Sequence, residues 1–292
     1  MAALDIPAHA KINLGLDVLG KRPDGYHELK MIMQTVELHD TVRLSTTEEN
    51  GITLECGSRF VPGDSTNTAW KAAALLMDRY GTKSGVRINI VKRIPVAAGM
   101  AGGSADAAAV LRGLNELFSL GLGVDTLREL GKLVGADVPY CIEGGTRLAE
   151  GIGERLTVLR DFSGVDILLV KPNIGVSTAW VYGNLRADEI RDEERPDTDM
   201  LISAIYAQDA AVVAENMKNV LERVTIPRHG IISEAKTRLM ELGALGSMMS
   251  GSGPTVFGIF PDAGSAAVAL RKLSADQRWN CLQTRTTNLT SA

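Results

Sequence analysis

The sequence predicts an α+β fold in two parts. Strand signals come in neighbouring pairs as often as they alternate with helices, which favours α+β over a doubly wound parallel sheet. A chain of 292 residues is long enough for two modest domains. A buried-strand run at Asp166–Val170 opens the second of them, so the expected division is 1–160 and 161–292. No internal repeat or low-complexity segment competes with this reading.

The elements follow in order. From Ala8 to Val18, the residues Ile12, Leu14, Leu16 and Val18 alternate with polar or small ones and predict a strand. A turn at Pro23-Asp24-Gly25 follows, then Leu29 to Leu44 as one long strand or two joined by a bend at His39-Asp40. Asn67 is placed to cap a helix running to Tyr80, where Gly81 stops it. Val86–Val91 predicts a strand, and Ser104–Phe118 a helix with Ala107, Val110, Leu111, Leu114 and Leu117 on one face. Asp125 is expected to cap a helix ending near Gly135, and Arg147–Leu159 to hold short strands broken at Gly151 and Gly153. Charged residues crowd 186–199 and predict a solvated connection. Helices over 200–222 and 230–242, strands at Ala244–Met249 and Thr255–Phe260, a helix at Ala263–Lys272 and a strand at Trp279–Thr284 complete the expectation.

Composition narrows the function classes. Hydrophobic residues at 45% and charged ones at 23% are those of an ordinary globular chain. A net charge of -4 and a pI near 5.7 argue against broad nucleic-acid binding. No run approaches the roughly 18 apolar residues of a membrane span. Neither an export signal nor a CxxC pair is present, and Cys56, Cys141 and Cys281 are odd in number, so a reducing, cytoplasmic compartment is expected.

Chemistry concentrates in a few segments. Pro95 to Ala109 runs from a strand into an Ala-rich helix through Gly99, Gly102 and Gly103. Such small side chains let backbone N–H groups close on a ligand, and the helix adds unpaired donors and a positive dipole end. Phosphate is the ligand these features suit; close helix–strand packing is the alternative. No G-x-x-x-x-G-K-[ST] or G-x-G-x-x-G occurs, so P-loop and Rossmann readings are disfavoured. Met249-Ser250-Gly251-Ser252-Gly253-Pro254-Thr255 reads as a hairpin turn or a second ligand loop. Asp137, amid Gly135-Ala136-Asp137-Val138-Pro139, either caps the next turn or serves as a base or orienting anion. Lys11 lies inside an apolar strand: it faces solvent, or it points inward and needs an anion such as Asp137 or a phosphate. Tyr26 and His27 are surface residues or ligand contacts, and the aromatics of Ser177–Tyr182 either stack on a planar base or fill core.

An early strand lysine, a P-x-x-x-G-x-x-G-G-S loop and a late S-G-S-G-P loop, in this order, resemble the GHMP kinase superfamily. The blocks Arg22-Pro23-Asp24-Gly25-Tyr26-His27 and Gly135-Ala136-Asp137-Val138-Pro139 resemble its branch acting on a cytidine-diphosphate sugar alcohol. The resemblance spans nearly the whole chain. It implies a ribosomal-protein-S5-like N-terminal domain, a ferredoxin-like C-terminal domain and a site between them. It also implies ATP-dependent phosphorylation, with Mg²⁺, of the 2-hydroxyl of a cytidine-diphosphate methylerythritol in non-mevalonate isoprenoid synthesis. Lys11 and Asp137 would form the catalytic pair, the lysine keeping the aspartate ionised. Pro95, Val96, Ala97, Ala98, Gly99, Met100, Ala101, Gly102, Gly103, Ser104 and Ala105 would wrap the ATP phosphates, with Ser104 on the phosphate or metal side. Gly251, Ser252 and Gly253 would line the junction of nucleotide and acceptor, Asn13 the erythritol hydroxyls, and Tyr26, His27, Thr178 and Tyr182 the cytidine. The implied partners are the small molecules alone, without nucleic acid or membrane, on a monomer or weak homodimer.

One departure stands out. Where many relatives read G-G-G-L-G-G-G-S-S-N, this chain has Ala97-Ala98-Gly99-Met100-Ala101-Gly102-Gly103-Ser104-Ala105-Asp106. The alanines keep the loop narrow. Asp106 is expected in the helix's first turn, favouring the dipole but competing with phosphate for the same N–H groups.

Overall fold

The computed structural model describes residues 3–82 and 84–289. The chain forms two compact units that interleave in sequence. The first takes the chain through Ala10, then Leu38–Val96 and Ala101–Gly144; the second takes Lys11–Glu37, Ala97–Met100 and the chain from Gly145 onward. The interleaving arises because β1 (Ala3–Lys21) and β2 (His27–Thr47), both unusually long strands, each run through both units. Segments 1–160 and 161–292 therefore differ in composition from the compact units.

A period of two organises β1. Ala8, Ala10, Ile12, Leu14, Leu16 and Val18 are each at most 2% exposed. Side chains alternate across a strand, so Lys11, Asn13 and Asp17 share the opposite face. They too are buried, and the solvent-facing reading of Lys11 fails.

In the first unit, the Thr41–Thr47 half of β2 pairs antiparallel with β4 (Gly85–Val91), which pairs parallel with β3 (Ile52–Cys56). Helices α1 (Thr68–Tyr80) and α2 (Gly102–Leu117) pack on each other, and α3 (Val124–Val134) and α4 (Val138–Glu143) pack on α2. The α1 boundaries match the expected caps. Asn67 accepts from the Ala69 N–H at 2.8 Å, and Gly81 closes the helix at φ 61°. Three expectations need correction. The α2 helix begins at Gly102, not Ser104, so Asp106 lies beyond its first turn. Gly123, not Asp125, caps α3; Asp125 sits in its first turn, 3.3 Å from Arg128. Leu117 is half-buried, unlike the other four residues of its predicted face.

In the second unit, the Leu29–Gln34 half of β2 pairs antiparallel with β5 (Thr146–Gly151), followed by β6 (Arg155–Val158). A four-stranded antiparallel sheet in the order β10–β7–β9–β8 forms the rest, from β7 (Asp166–Pro172), β8 (Gly246–Met249), β9 (Val256–Phe260) and β10 (Trp279–Arg285). Onto it pack α9 (Gly230–Glu241) and α10 (Ala263–Leu273). The expected helix over 200–222 is interrupted. Between α6 (Thr198–Ala207) and α7 (Ala210–Asn216), Gln208 turns left-handed at φ 59° and Asp209 caps α7 by accepting from the N–H groups of Ala211 and Val212. Nor is 186–199 uniformly solvated: Pro196 is buried, and Arg195 reaches Asp17 at 2.6 Å. Two short helices, α5 (Thr178–Asn184) and α8 (Glu222–Arg228), complete the unit. Among the described residues no helix is long and apolar enough to cross a membrane.

Replacing Asn67 with Ala removes the α1 cap and its amide bond to the Pro62 carbonyl. The expected cost is about 1 kcal/mol, read as a lower denaturation midpoint at unchanged slope.

Candidate active site

The second unit holds Lys11 where two glycine turns meet. Lys11 is 5% exposed, and its ammonium donates to Asn13 Oδ1 at 2.8 Å and the Gly99 carbonyl at 3.5 Å. Both partners are neutral, and no carboxylate of this unit ion-pairs with it among the described residues. Asn13 is fully buried and also donates to the Met31 sulfur at 3.4 Å. The Gly99 carbonyl further accepts from Ser250 Oγ at 3.0 Å, so the early and late loops share one acceptor.

Close packing dictates the glycines. A Cβ on Gly99 would lie 2.2 Å from the Ser250 carbonyl oxygen, at a backbone φ of +72°. One on Gly251, at φ +56°, would lie 2.9 Å from the Gly99 oxygen and 3.5 Å from Lys11 Nζ. No larger residue fits either place. Ala97 and Ala101 also take left-handed φ values of 51° and 56°. An L-residue there costs about 1–2 kcal/mol.

Side chains from 219–222 secure the late loop. Asn219 donates to the Met249 and Gly251 carbonyls, each at 2.8 Å, and Glu222 accepts the Met249 N–H at 2.8 Å while pairing with Lys236. The loop N–H groups of Gly251 and Ser252 have no acceptor among the described residues. Ser252 Oγ lies 2.8 Å from Thr178 Oγ1, on α5. His27 and Tyr182 rings stand 5.3 Å apart at 36°, and Tyr26 is 60% exposed. Burial, reinforced by Lys21, lowers the His27 pKa below the usual value, which keeps the imidazole neutral at pH 7. Arg22 braces the preceding turn through Asp24 at 3.1 Å and Glu28 at 2.6 Å.

The first unit presents the start of α2. Ala101 caps it without a side-chain oxygen, the first turn holds no acid, and the N–H groups of Gly102, Gly103 and Ser104 have no acceptor among the described residues. Pro95 and Val96 lead towards this turn from β4, and Ala105 donates the first helical bond, to Ala101 at 2.8 Å. Asp106 does not compete for those donors. Its carboxylate is 2.8 Å from Lys92 Nζ, which also binds Asp40, while Asp40 accepts the Arg93 and Ile94 N–H groups. Burial, opposed by Lys92 and reinforced by Asp40, pushes the Asp106 pKa up to about 7. A Cβ on Gly102 would be 3.4 Å from Lys92 Nζ, so this buried cation underlies the helix start. Asp137 is half-buried at the N-terminus of α4, but its side chain makes no capping bond there. The capping role fails, and the carboxylate has no hydrogen-bond partner among the described residues. Ser104 Oγ would be 3.9 Å from a Cβ on Gly135, two residues before Asp137.

The predicted site residues thus group within units. Lys11, Asn13, Gly99 and Gly251 meet in the second, as do Thr178 with Ser252 and His27 with Tyr182. Ser104 and the Gly135–Asp137 segment belong to the first. Asn219, Glu222 and Lys92 escaped sequence reasoning, since none lies in a glycine-rich or otherwise patterned stretch.

Comparison with known proteins shows the family. Residues 67–145 match the family of GHMP kinases N terminal domains, and residues 201–277 that of GHMP kinases C terminal domains. The chain is 57% identical over 286 residues to 4-diphosphocytidyl-2-C-methyl-D-erythritol kinase of Acetivibrio thermocellus, covering 98% of this chain and 100% of the other. It is 51% identical over 255 residues to the protein of that name from Clostridium botulinum, covering 87% and 90%. A crystal structure of 4-(cytidine 5'-diphospho)-2C-methyl-D-erythritol kinase is similar at a TM-score of 0.82 and 31% identity, covering 98% of this chain and 100% of that one. Homoserine kinase from Cytophaga hutchinsonii, at TM-score 0.79 and 19% identity over 99% of this chain and 95% of that one, supports the fold alone.

Two substitutions in one loop should act in opposite directions. Gly99→Ala forces a side chain onto the Ser250 carbonyl, and should lower the melting temperature. Ala101→Gly relieves a left-handed alanine and should stabilise by about 0.5–1 kcal/mol, net of the entropy glycine adds to the unfolded chain. Thermal melts of both variants check the pair.

Proposed function

This chain belongs to the GHMP kinase family, and we propose that it transfers the γ-phosphate of ATP to the 2-hydroxyl of 4-diphosphocytidyl-2-C-methyl-D-erythritol. One observation carries the reading: an ammonium buried among neutral partners at the meeting of two glycine turns, in a chain 57% identical along nearly its whole length to a kinase of that name. A buried cation without a counter-ion is costly, and a phosphoryl group is the anion that glycine turns admit.

Phosphoryl transfer demands positioning and charge neutralisation more than covalent work by the protein. Residues 95–105 wrap the polyphosphate, with the N–H groups of Gly102, Gly103 and Ser104 at the α2 N-terminus as backbone donors. Lys11 offsets charge on the moving phosphoryl group. Asp137, whose carboxylate has no hydrogen-bond partner among the described residues, accepts the acceptor's hydroxyl proton. Asn13 orients the erythritol hydroxyls. His27, neutral at pH 7, and Tyr182 present two neighbouring rings to the cytosine, with Tyr26 and Thr178 beside the same nucleoside. That binding is remote from the reacting atoms and contributes orientation.

Mg²⁺ fits the donor set, because it takes one or two protein oxygens and draws the rest from phosphates and water. Among the described residues no cluster of three acidic, histidine or cysteine ligands exists, which suits such a site better than an all-protein cage. Ser104 Oγ is the oxygen that would hold it, and the ion when bound neutralises phosphate charge. The segments 1–160 and 161–292 each contain one of the matched family regions, and we retain them as the proposed domains of a cytoplasmic monomer or weak homodimer.

A coupled ADP-release assay across a panel of alcohols tests the reading, with the cytidine-diphosphate methylerythritol expected to be the preferred acceptor. Rapid turnover of homoserine or mevalonate in its place would contradict it. In the same assay Asp137→Asn should lower turnover by about 10²–10⁴-fold while the KM for ATP stays nearly unchanged.

A further inference from the structure

Asn219 occupies an unusual position in the second unit. It is 5% exposed, and all three of its amide's hydrogen bonds go to backbone atoms. Its Nδ2 donates to the carbonyls of Met249 and Gly251, and its Oδ1 accepts the Leu221 N–H at 3.0 Å. The flanking residues dock on β1, where the Leu16 N–H donates to the Lys218 carbonyl at 2.9 Å and the Val220 N–H to the Leu16 carbonyl at 3.1 Å. Asn219 therefore ties the late glycine loop to the strand that carries Lys11 and Asn13.

Peptide planarity turns this tether into a direction. In a trans peptide the carbonyl of one residue and the N–H of the next point opposite ways. Holding the Met249 carbonyl on Asn219 aims the Ser250 N–H away from it, and that N–H donates to the Thr255 carbonyl at 2.9 Å, closing the hairpin. Holding the Gly251 carbonyl in the same way aims the Ser252 N–H away from Asn219. That donor has no acceptor among the described residues, although Ser252 is only 6% exposed. Thr225 Oγ1 fixes the following peptide by donating to the Ser252 carbonyl at 3.4 Å. A buried N–H held from both sides and left unused is a preorganised donor for an anion.

We infer that Asn219 is a positioning residue, which sets the Ser252 N–H as a hydrogen-bond donor to the phosphoryl group near Lys11. The inference rests on the kinase reading for its ligand, but not on the identity of the acceptor. Asn219 itself touches no substrate. Removing its side chain frees the two carbonyls, lets the 251–252 peptide rotate and scatters the donor.

Backbone amide NMR and kinetics on the full chain test this together. In the unaltered protein the Ser252 ¹H–¹⁵N resonance should shift on addition of tripolyphosphate, and in Asn219→Ala that shift should disappear. Turnover should fall by about 10- to 100-fold in the variant, the range of a weakened oxyanion donor, with the KM for ATP changed far less. Asn219→Ser, which keeps one donor, should recover part of both signals, and it carries the test if the alanine variant does not fold. A Ser252 resonance indifferent to tripolyphosphate, or one that shifts equally in folded Asn219→Ala, overturns the assignment. If the unaltered protein releases no ADP with the cytidine-diphosphate acceptor yet Ser252 responds and the variant does not, the acceptor is wrong and the role of Asn219 stands.

Discussion

The structure depends on the tolerance of one buried ammonium. Lys11 sits at 5% exposure, and among the described residues its ammonium bonds an amide oxygen and a peptide carbonyl. Taking a cation out of water without a counter-ion costs on the order of a few kcal/mol. The fold accepts this on a strand whose other face is a dense row of Ala, Ile, Leu and Val. Two glycine turns then close on the ammonium, as only residues without a Cβ can at Gly99 and Gly251. A fold selected for stability alone would place methionine or leucine at position 11. On the proposed function, the lysine is retained for a ligand that brings negative charge.

The first unit reaches a similar end by different means. The helix dipole and the unpaired donors of residues 102–104 favour an anion at the start of α2, and Lys92 lies beneath the same turn. There the cation is compensated, by Asp40 and Asp106, and holds the helix start in place. Position 106 illustrates how context decides a charge's role. An acid in the first turn would contest the phosphate, whereas one turn further on it faces inward and bonds the buried lysine.

Much of this was legible in the residues. Periodicity and caps placed β1, α1, β4, α2 and the C-terminal strands within a few positions, because each carries a strong local signal, such as Asn67 and Gly81 around α1. Short elements were less visible: α4 and α8 contain Pro139 and Pro227, which argue locally against helix, and tertiary packing overrides them. The two glycine loops stood out by composition, and Lys11 by its incongruity in an apolar strand. Asn219 and Glu222 did not stand out. Their roles exist only once β1, α8 and the hairpin between β8 and β9 are brought together, and an asparagine among lysine and valine carries no mark of that. The left-handed turn of the alanines at 97 and 101 is not legible in the residues, since φ is a property of the folded loop.

Replacing Lys11 with Met separates the two demands on that residue most directly. A near-isosteric, uncharged side chain removes the burial cost and the proposed phosphate contact together. Differential scanning calorimetry of this variant, paired with ADP release in the presence of the cytidine-diphosphate acceptor, should show a melting temperature equal to or above that of the unaltered protein and turnover reduced at least about 100-fold. A variant that melts several degrees lower yet turns over normally would mean that the lysine serves the fold and not the phosphoryl group, and the account would be wrong at its centre.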